Sequence, residues 1–305
     1  MPATSPMNPS DSPPAPSRRQ CLGSALGGGL GATVLAAGLP AAARSAASRG
    51  QVSVLEAALP IPQLGRTRTV RLYLPPSYAA SRRRYRVLYM LDGQNLFDAA
   101  TSFAGEWRVD EALDRLAPLE GGRWESIVVG IDNGGLNRTA EYHPINPDTG
   151  QRGEADATVA FLADTLKPLV DRRLRTRTGP ADTLILGASS GATLALHAGF
   201  TRPEVFGRIG AFSTPLWLEP QPLAEVARLR PRRAWSRVAL VAGALERVGQ
   251  APPGIFARDL PAMKTALAAA GYREDQMLVR AIADGTHSEA FWGQMFEPVL
   301  RFLAG

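Results

Sequence analysis

From residue 85 onward, short apolar or β-branched runs alternate with segments whose apolar residues recur at helical spacing, and this alternation restricts the fold more than any other feature. The runs occupy residues 85–91, 126–131, 183–186, 208–212, 237–242 and 276–283, and the helical segments 107–116, 155–174, 190–200, 219–229, 256–270 and 288–303. A short run that is apolar throughout fits a strand covered on both faces. Strands separated by helices are joined by crossovers, which make neighbouring strands parallel and set helices on both faces of one sheet. Ahead of this region, residues 52–59 and 67–74 flank a turn-rich segment and read as an antiparallel opening pair. No stretch after residue 60 is long enough to separate two domains. The expectation is a single α/β domain with a mostly parallel central sheet and helices on both faces.

One strand-to-helix junction is unusually tight. Thr183-Leu184-Ile185-Leu186 runs into Gly187-Ala188-Ser189-Ser190-Gly191, and a small-residue helical pattern starts at once. The frame Gly-x-Ser-x-Gly sets Ser189 at the apex of a sharp turn, with its hydroxyl exposed and small neighbours letting strand and helix approach. In a chain with 30 glycines, an ordinary glycine-rich turn would look the same, so the rest of the chain has to decide.

A serine hydroxyl is a poor nucleophile until a base takes its proton, and histidine suits neutral pH. Of three histidines, His143 lies in a loop, His197 on the helix directly after the turn, and His287 between the last strand and the last helix. In an α/β-hydrolase the chain order is nucleophile, acid, histidine, which makes His287 the candidate base. The acid belongs after the preceding strand, and Glu246 stands there; Asp284, in the turn before His287, is the alternative. Acyl transfer also needs two donors facing the developing oxyanion. The Ser190 N–H is one, and the loop after the third strand supplies the other through the Gln94 N–H, beside a glycine that permits close backbone approach.

Composition narrows the partners. The net charge is +6, but the basic residues are scattered, only Lys167 and Lys264 are lysines, and no basic cluster is interleaved with aromatics, so no nucleic-acid partner is expected. The histidines show no ligand spacing such as His-Glu-x-x-His, and no metal or other cofactor is expected. Residues 1–47 read as an export signal. Ser17-Arg18-Arg19-Gln20-Cys21-Leu22 precedes a Gly/Ala/Leu-rich stretch to Leu39, followed by small-residue cleavage sites. The segment resembles a twin-arginine signal, with Cys21 where such signals usually carry an aromatic. Its apolar stretch is glycine-rich and barely long enough to span a bilayer, so the membrane is expected to be met only in transit. Cys21 is the only cysteine. The mature chain, 48–305, would then have no disulfide, cysteine nucleophile or thiolate metal site, and would reside in the periplasm or outside the cell.

Several motifs carry a resemblance. They are Val87-Leu88-Tyr89-Met90-Leu91-Asp92-Gly93-Gln94-Asn95-Leu96-Phe97-Asp98, Val129-Gly130-Ile131-Asp132-Asn133-Gly134-Gly135, Glu141-Tyr142, Gly187-Ala188-Ser189-Ser190-Gly191, Arg202-Pro203-Glu204-Val205-Phe206-Gly207, and His287-Ser288-Glu289 with Trp292. Together they resemble the putative-esterase family, which includes enterochelin, feruloyl and acetyl-xylan esterases, S-formylglutathione hydrolases and mycolyltransferases. The resemblance implies an α/β-hydrolase with Ser189 as nucleophile and His287 as base, and Glu246 falls where members carry their acid. Many relatives have His-Gly in place of Asp92-Gly93, and Ser-Met-Gly-Gly in place of Ser189-Ser190-Gly191-Ala192. Neither departure removes a backbone donor.

The expected activity is hydrolysis of a small-molecule or carbohydrate ester, of carbohydrate, aromatic-acid or siderophore type, through an acyl-enzyme. Acyl transfer in the same pocket and a non-catalytic binding protein on the same scaffold are the alternatives. Substrate contacts are expected from Arg138 and Tyr142, after the fourth strand, and from Trp217. Arg138 would meet a carboxylate or catechol-type oxygen, and Trp217 or Trp107 would stack on a ring; an Arg138–Glu141 pair and core tryptophans are the competing reading.

Overall fold

Parallel strands buried on both faces are largely apolar, and the central strands follow this beyond their first residues, Arg86, Ser126 and Thr183. The computed structural model describes residues 49–218, 221–228 and 236–305; the expected export signal lies outside them. The strands are β1 (Gln51–Ile61), β2 (Arg66–Leu74), β3 (Arg86–Leu91), β4 (Ser126–Ile131), β5 (Thr183–Ala188), β6 (Arg208–Phe212), β7 (Arg237–Gly243) and β8 (Met277–Ile282). They form one sheet in the order β1-β2-β4-β3-β5-β6-β7-β8. β2 runs antiparallel to β1 and β4, and all other pairs are parallel. Every residue of β3, β4 and β5 is buried, whereas β1 and β8, at the two edges, are largely open.

The helices are α1 (Val109–Leu116), α2 (Arg138–Tyr142), α3 (Ala155–Ala160), α4 (Lys167–Arg173), α5 (Ser190–Thr201), α6 (Gln221–Arg228), α7 (Ile255–Arg258), α8 (Leu260–Ala269) and α9 (Glu289–Ala304). Alternate strand residues point to opposite faces and build two cores. Tyr89, Val129 and Ile185 join Val159, Leu194 and Met263 of the α3, α5 and α8 layer. Met90, Val128 and Leu186 join Leu113 and Phe296 of α1 and α9.

Two helices differ from expectation. A π-helical segment, Phe161–Leu166, joins α3 to α4. The segment expected as one helix over 256–270 breaks at Asp259, because Pro261 is harmless in the first turn of α8 but its ring would clash with the carbonyl four residues upstream in a continuous helix. Among the described residues no helix is long and apolar enough to cross a membrane. The carboxyl ends of the parallel strands share one edge of the sheet, where ligand sites in such folds form. Asp92, Ser189, Ser213, Glu246 and His287 all follow strand ends on that edge.

Candidate active site

Backbone strain marks this edge. Five non-glycine residues among those described have positive φ, and three of them, Asp92, Ser189 and Ser213, directly follow β3, β5 and β6. Such conformations cost about 1–3 kcal/mol each and persist only where the surroundings enforce them. At Ser189 (φ 55°, ψ −129°) the enforcement is close packing. A Cβ on Gly187 would run into the Gly191 carbonyl, so a larger residue would part strand from helix. The Ser189 N–H donates to the Phe212 carbonyl at 2.9 Å. Ser190 opens α5, so its N–H has no acceptor within the helix.

His287 stands on the loop after β8, its Nδ1 2.9 Å from Glu246 Oε2. Glu246 is fully buried, and its other oxygen accepts from Ser213 Oγ at 2.6 Å and from the Gly243 N–H. A carboxylate only accepts, so Nδ1 carries the proton and Nε2 is left as the basic nitrogen. Trp292 Nε1 donates to Ser213 Oγ at 2.8 Å, which completes a chain from Trp292 through Ser213 to Glu246. The imidazole lies stacked on Phe256 at 4.3 Å and edge-on to Trp292 at 5.0 Å. Asp284 is exposed, and the acid on Nδ1 is Glu246. Among the described residues the Ser189 hydroxyl has no hydrogen-bond partner, although serine and imidazole line the same pocket of about 320 Å³. In unliganded sites such contacts often close only around the substrate.

The opposite wall is the loop after β3. Asp92 is left-handed (φ 56°, ψ 49°) and leads into a 3₁₀ turn, Gly93–Asn95, so the Gln94 N–H is also outside the reach of an intrahelical acceptor. A Cβ on Gly93 would sit 2.6 Å from the Gly130 carbonyl carbon, which is why only glycine lets this loop rest on β4. Gln94 lines the pocket, and its side-chain oxygen accepts the Asn133 N–H at 3.2 Å. Arg138 binds Asp92 through two forked bonds of 2.7 and 2.9 Å, and Asn133 Nδ2 adds a third at 2.8 Å. Burial lowers the Arg138 pKa, but the charge and hydrogen bonds of Asp92 outweigh it and hold the guanidinium more firmly protonated than usual.

The expected substrate contacts are therefore redistributed. Arg138 lines the pocket, but its fork is occupied by Asp92. Glu141 pairs with Arg66 and Arg68 rather than with Arg138. Tyr142 is 2% exposed and does not line the pocket; its ring lies 5.1 Å from the Arg138 guanidinium and its hydroxyl accepts the Asp92 N–H. Trp217 packs edge-on against Phe256, at 4.5 Å, and approaches His287 only through that ring. Trp107 does line the pocket. His197 is tied up elsewhere, between Asp156 and Glu225 at 2.8 Å each. Ser213, Phe256 and Glu289 were not singled out as site residues from the sequence; only Glu289 had a signal, beside His287 in a motif.

The family described as "Putative esterase" matches residues 61–303. The uncharacterized protein YbbA of Bacillus subtilis (strain 168) is 25% identical over 251 residues, covering 78% of this chain and 93% of that protein. A siderophore enterobactin esterase of Emericella nidulans is 26% identical over 167 residues, 49% of this chain and 52% of that one. A solved ferulic acid esterase superposes with a TM-score of 0.60 at 16% identity, covering 84% of this chain and 98% of that one, and shares the fold. The family match spans most of the chain and all the strand-end loops described above. The chain belongs to the putative-esterase family, carboxylic-ester hydrolases of the α/β-hydrolase fold.

Proposed function

We propose that the protein is an exported serine esterase that works through an acyl-enzyme. The observation that carries the reading is the Glu246–His287 pair at 2.9 Å, whose imidazole lines one pocket with a serine held on a strained turn. Ser189 Oγ attacks the ester carbonyl while His287 Nε2 takes its proton, and buried Glu246 stabilises the imidazolium. The N–H groups of Gln94 and Ser190 receive the oxyanion, each contributing about 3 kcal/mol to the transition state. Collapse expels the alcohol with the proton from His287, and water then repeats the sequence to release the acid.

Residues 1–47 serve as the export signal and 48–305 as the esterase domain, which acts in the periplasm or outside the cell. The natural substrate is a small-molecule ester of which only one side enters the pocket, since about 320 Å³ is at the small end for ligand sites. Siderophore and aromatic-acid esters, after the names of the relatives, are the first to try. The test is turnover of p-nitrophenyl acetate by Ser189→Ala and His287→Ala. Each should lose a factor of about 10⁴ or more and still melt cooperatively from a folded state. Folded variants within tenfold of wild type would overturn the reading.

A further inference from the structure

We infer that the pocket selects esters carrying a hydrogen-bond donor, a hydroxyl or an ammonium, near the scissile bond and rejects anionic ones, and that Glu289 is the residue that selects. The inference rests on the serine-esterase reading of the same pocket.

Besides His287, the ionisable side chains lining the pocket are Asp92, Arg138 and Glu289. Asp92 and Arg138 pair through two forked bonds, so their charges offset each other and the Nε–Nη2 fork is not available to a substrate carboxylate. Glu289 has no such partner. It is 6% exposed, and among the described residues no arginine or lysine forms an ion pair with it. Asn95 Nδ2 donates to Oε1 at 3.1 Å, and no other side chain among the described residues donates to the carboxyl.

A buried carboxyl without a cation is costly to keep. Burial raises the Glu289 pKa and the nearby Asp92 charge raises it further, while its own backbone N–H and the positive side of the site pull the other way. Trp107 and Trp292 line the same pocket, and apolar rings in such a site strengthen a hydrogen bond made near them. Such a group is poised to accept a hydrogen bond from substrate. It also adds like charge against an anionic one. The sequence suggested the reverse polarity, with Arg138 as an anion contact; the Asp92 pair takes the Nε–Nη2 fork and offsets that positive charge.

The test uses matched esters on both sides of the bond, because either side can enter the pocket. On the alcohol side they are phenyl acetate and its 3-hydroxy, 3-aminomethyl and 3-carboxy derivatives. On the acyl side they are the p-nitrophenyl esters of benzoic, 3-hydroxybenzoic, 3-aminomethylbenzoic and isophthalic acids. kcat/KM is measured for wild type and Glu289→Gln, and each protein is labelled with a fluorophosphonate.

For the side that enters, wild type should favour a donor-bearing ester over the carboxylated one by at least about 30-fold. Glu289→Gln should shrink that ratio at least tenfold, because it removes the charge and keeps the shape. A wild type that turns over the carboxylated esters as readily as the donor-bearing ones overturns the inference even if the variant does not fold. So does a ratio unchanged in a folded Glu289→Gln. If Ser189 is labelled in these cases, the serine-esterase reading survives; if wild type takes no label, that reading fails and the inference with it.

Discussion

The substitution Glu246→Gln preserves volume and hydrogen-bonding capacity, yet it should nearly stop the reaction, because the surroundings dictate which end of the amide faces His287. The Oε1 position receives the Gly243 N–H, which can only donate. It also receives the Ser213 hydroxyl, whose oxygen accepts from Trp292 Nε1 and whose hydrogen has no other acceptor among the described residues. The amide oxygen is therefore held on that side and the NH₂ group faces His287 Nδ1. Nδ1 must then accept, and the proton moves to Nε2, the nitrogen that has to take the proton of Ser189. A triad in the wrong tautomer loses about 10⁴ in kcat, or about 5.5 kcal/mol. Turning the amide over sets two donors against its NH₂ at about 1–3 kcal/mol each, so this escape limits the loss only to about 10³. The same reasoning gives a less intuitive result: adding Ser213→Ala removes one of those two donors, lets the amide turn, and should recover about tenfold in kcat. The assay is p-nitrophenyl acetate turnover, with thermal melting to establish folding. A single variant within tenfold of wild type, or a double variant slower than the single one, would refute the argument.

Alone, Ser213→Ala strands Trp292 Nε1 and takes one donor from Glu246 in a fully buried site, which should cost about 2–4 kcal/mol in urea denaturation. A loss under about 0.5 kcal/mol would mean that the chain of bonds contributes nothing. His197 should make stability depend on pH. Burial lowers its pKa, but hydrogen bonds and charges from Glu225 and Asp156 raise it by more, above the ordinary 6.5. That stabilisation is complete below 6.5 and disappears as pH rises through the raised value. Asp156 is shifted the other way: burial raises its pKa, but His197 and Arg152 hold it below the ordinary 3.8, so its share is complete above 3.8 and is lost in stronger acid. The melting difference between wild type and His197→Gln should thus be largest near pH 5 and shrink toward pH 9; a difference that grows with pH would contradict it.

The sheet was legible because its chemistry is local: a strand buried on both faces, such as β4, is apolar beyond its first residue, Ser126, and the expected limits of 126–131 are those observed. The serine turn and the loops of Glu246 and His287 were legible because each follows such a run. The surroundings of these residues were not. That Arg138 pairs with Asp92 depends on a left-handed residue after β3, and nothing in Asp92-Gly93 distinguishes that from any other turn. Tyr142 looked available because it ends a loop-borne motif, yet α2 lays its ring against the guanidinium and buries it. Ser213 carries no sequence signal, since its hydroxyl reaches Glu246 only through a positive φ at the end of β6. Long-range geometry of this kind is set by packing, which periodicity does not encode.

The most direct test of the central claim is reaction of the purified protein with a fluorophosphonate, read by intact mass and peptide mapping beside p-nitrophenyl acetate hydrolysis. The account predicts one adduct per chain, on Ser189, with turnover lost in proportion to labelling. A folded protein that takes no adduct, or one labelled elsewhere with Ser189 unmodified and turnover lost all the same, would contradict it.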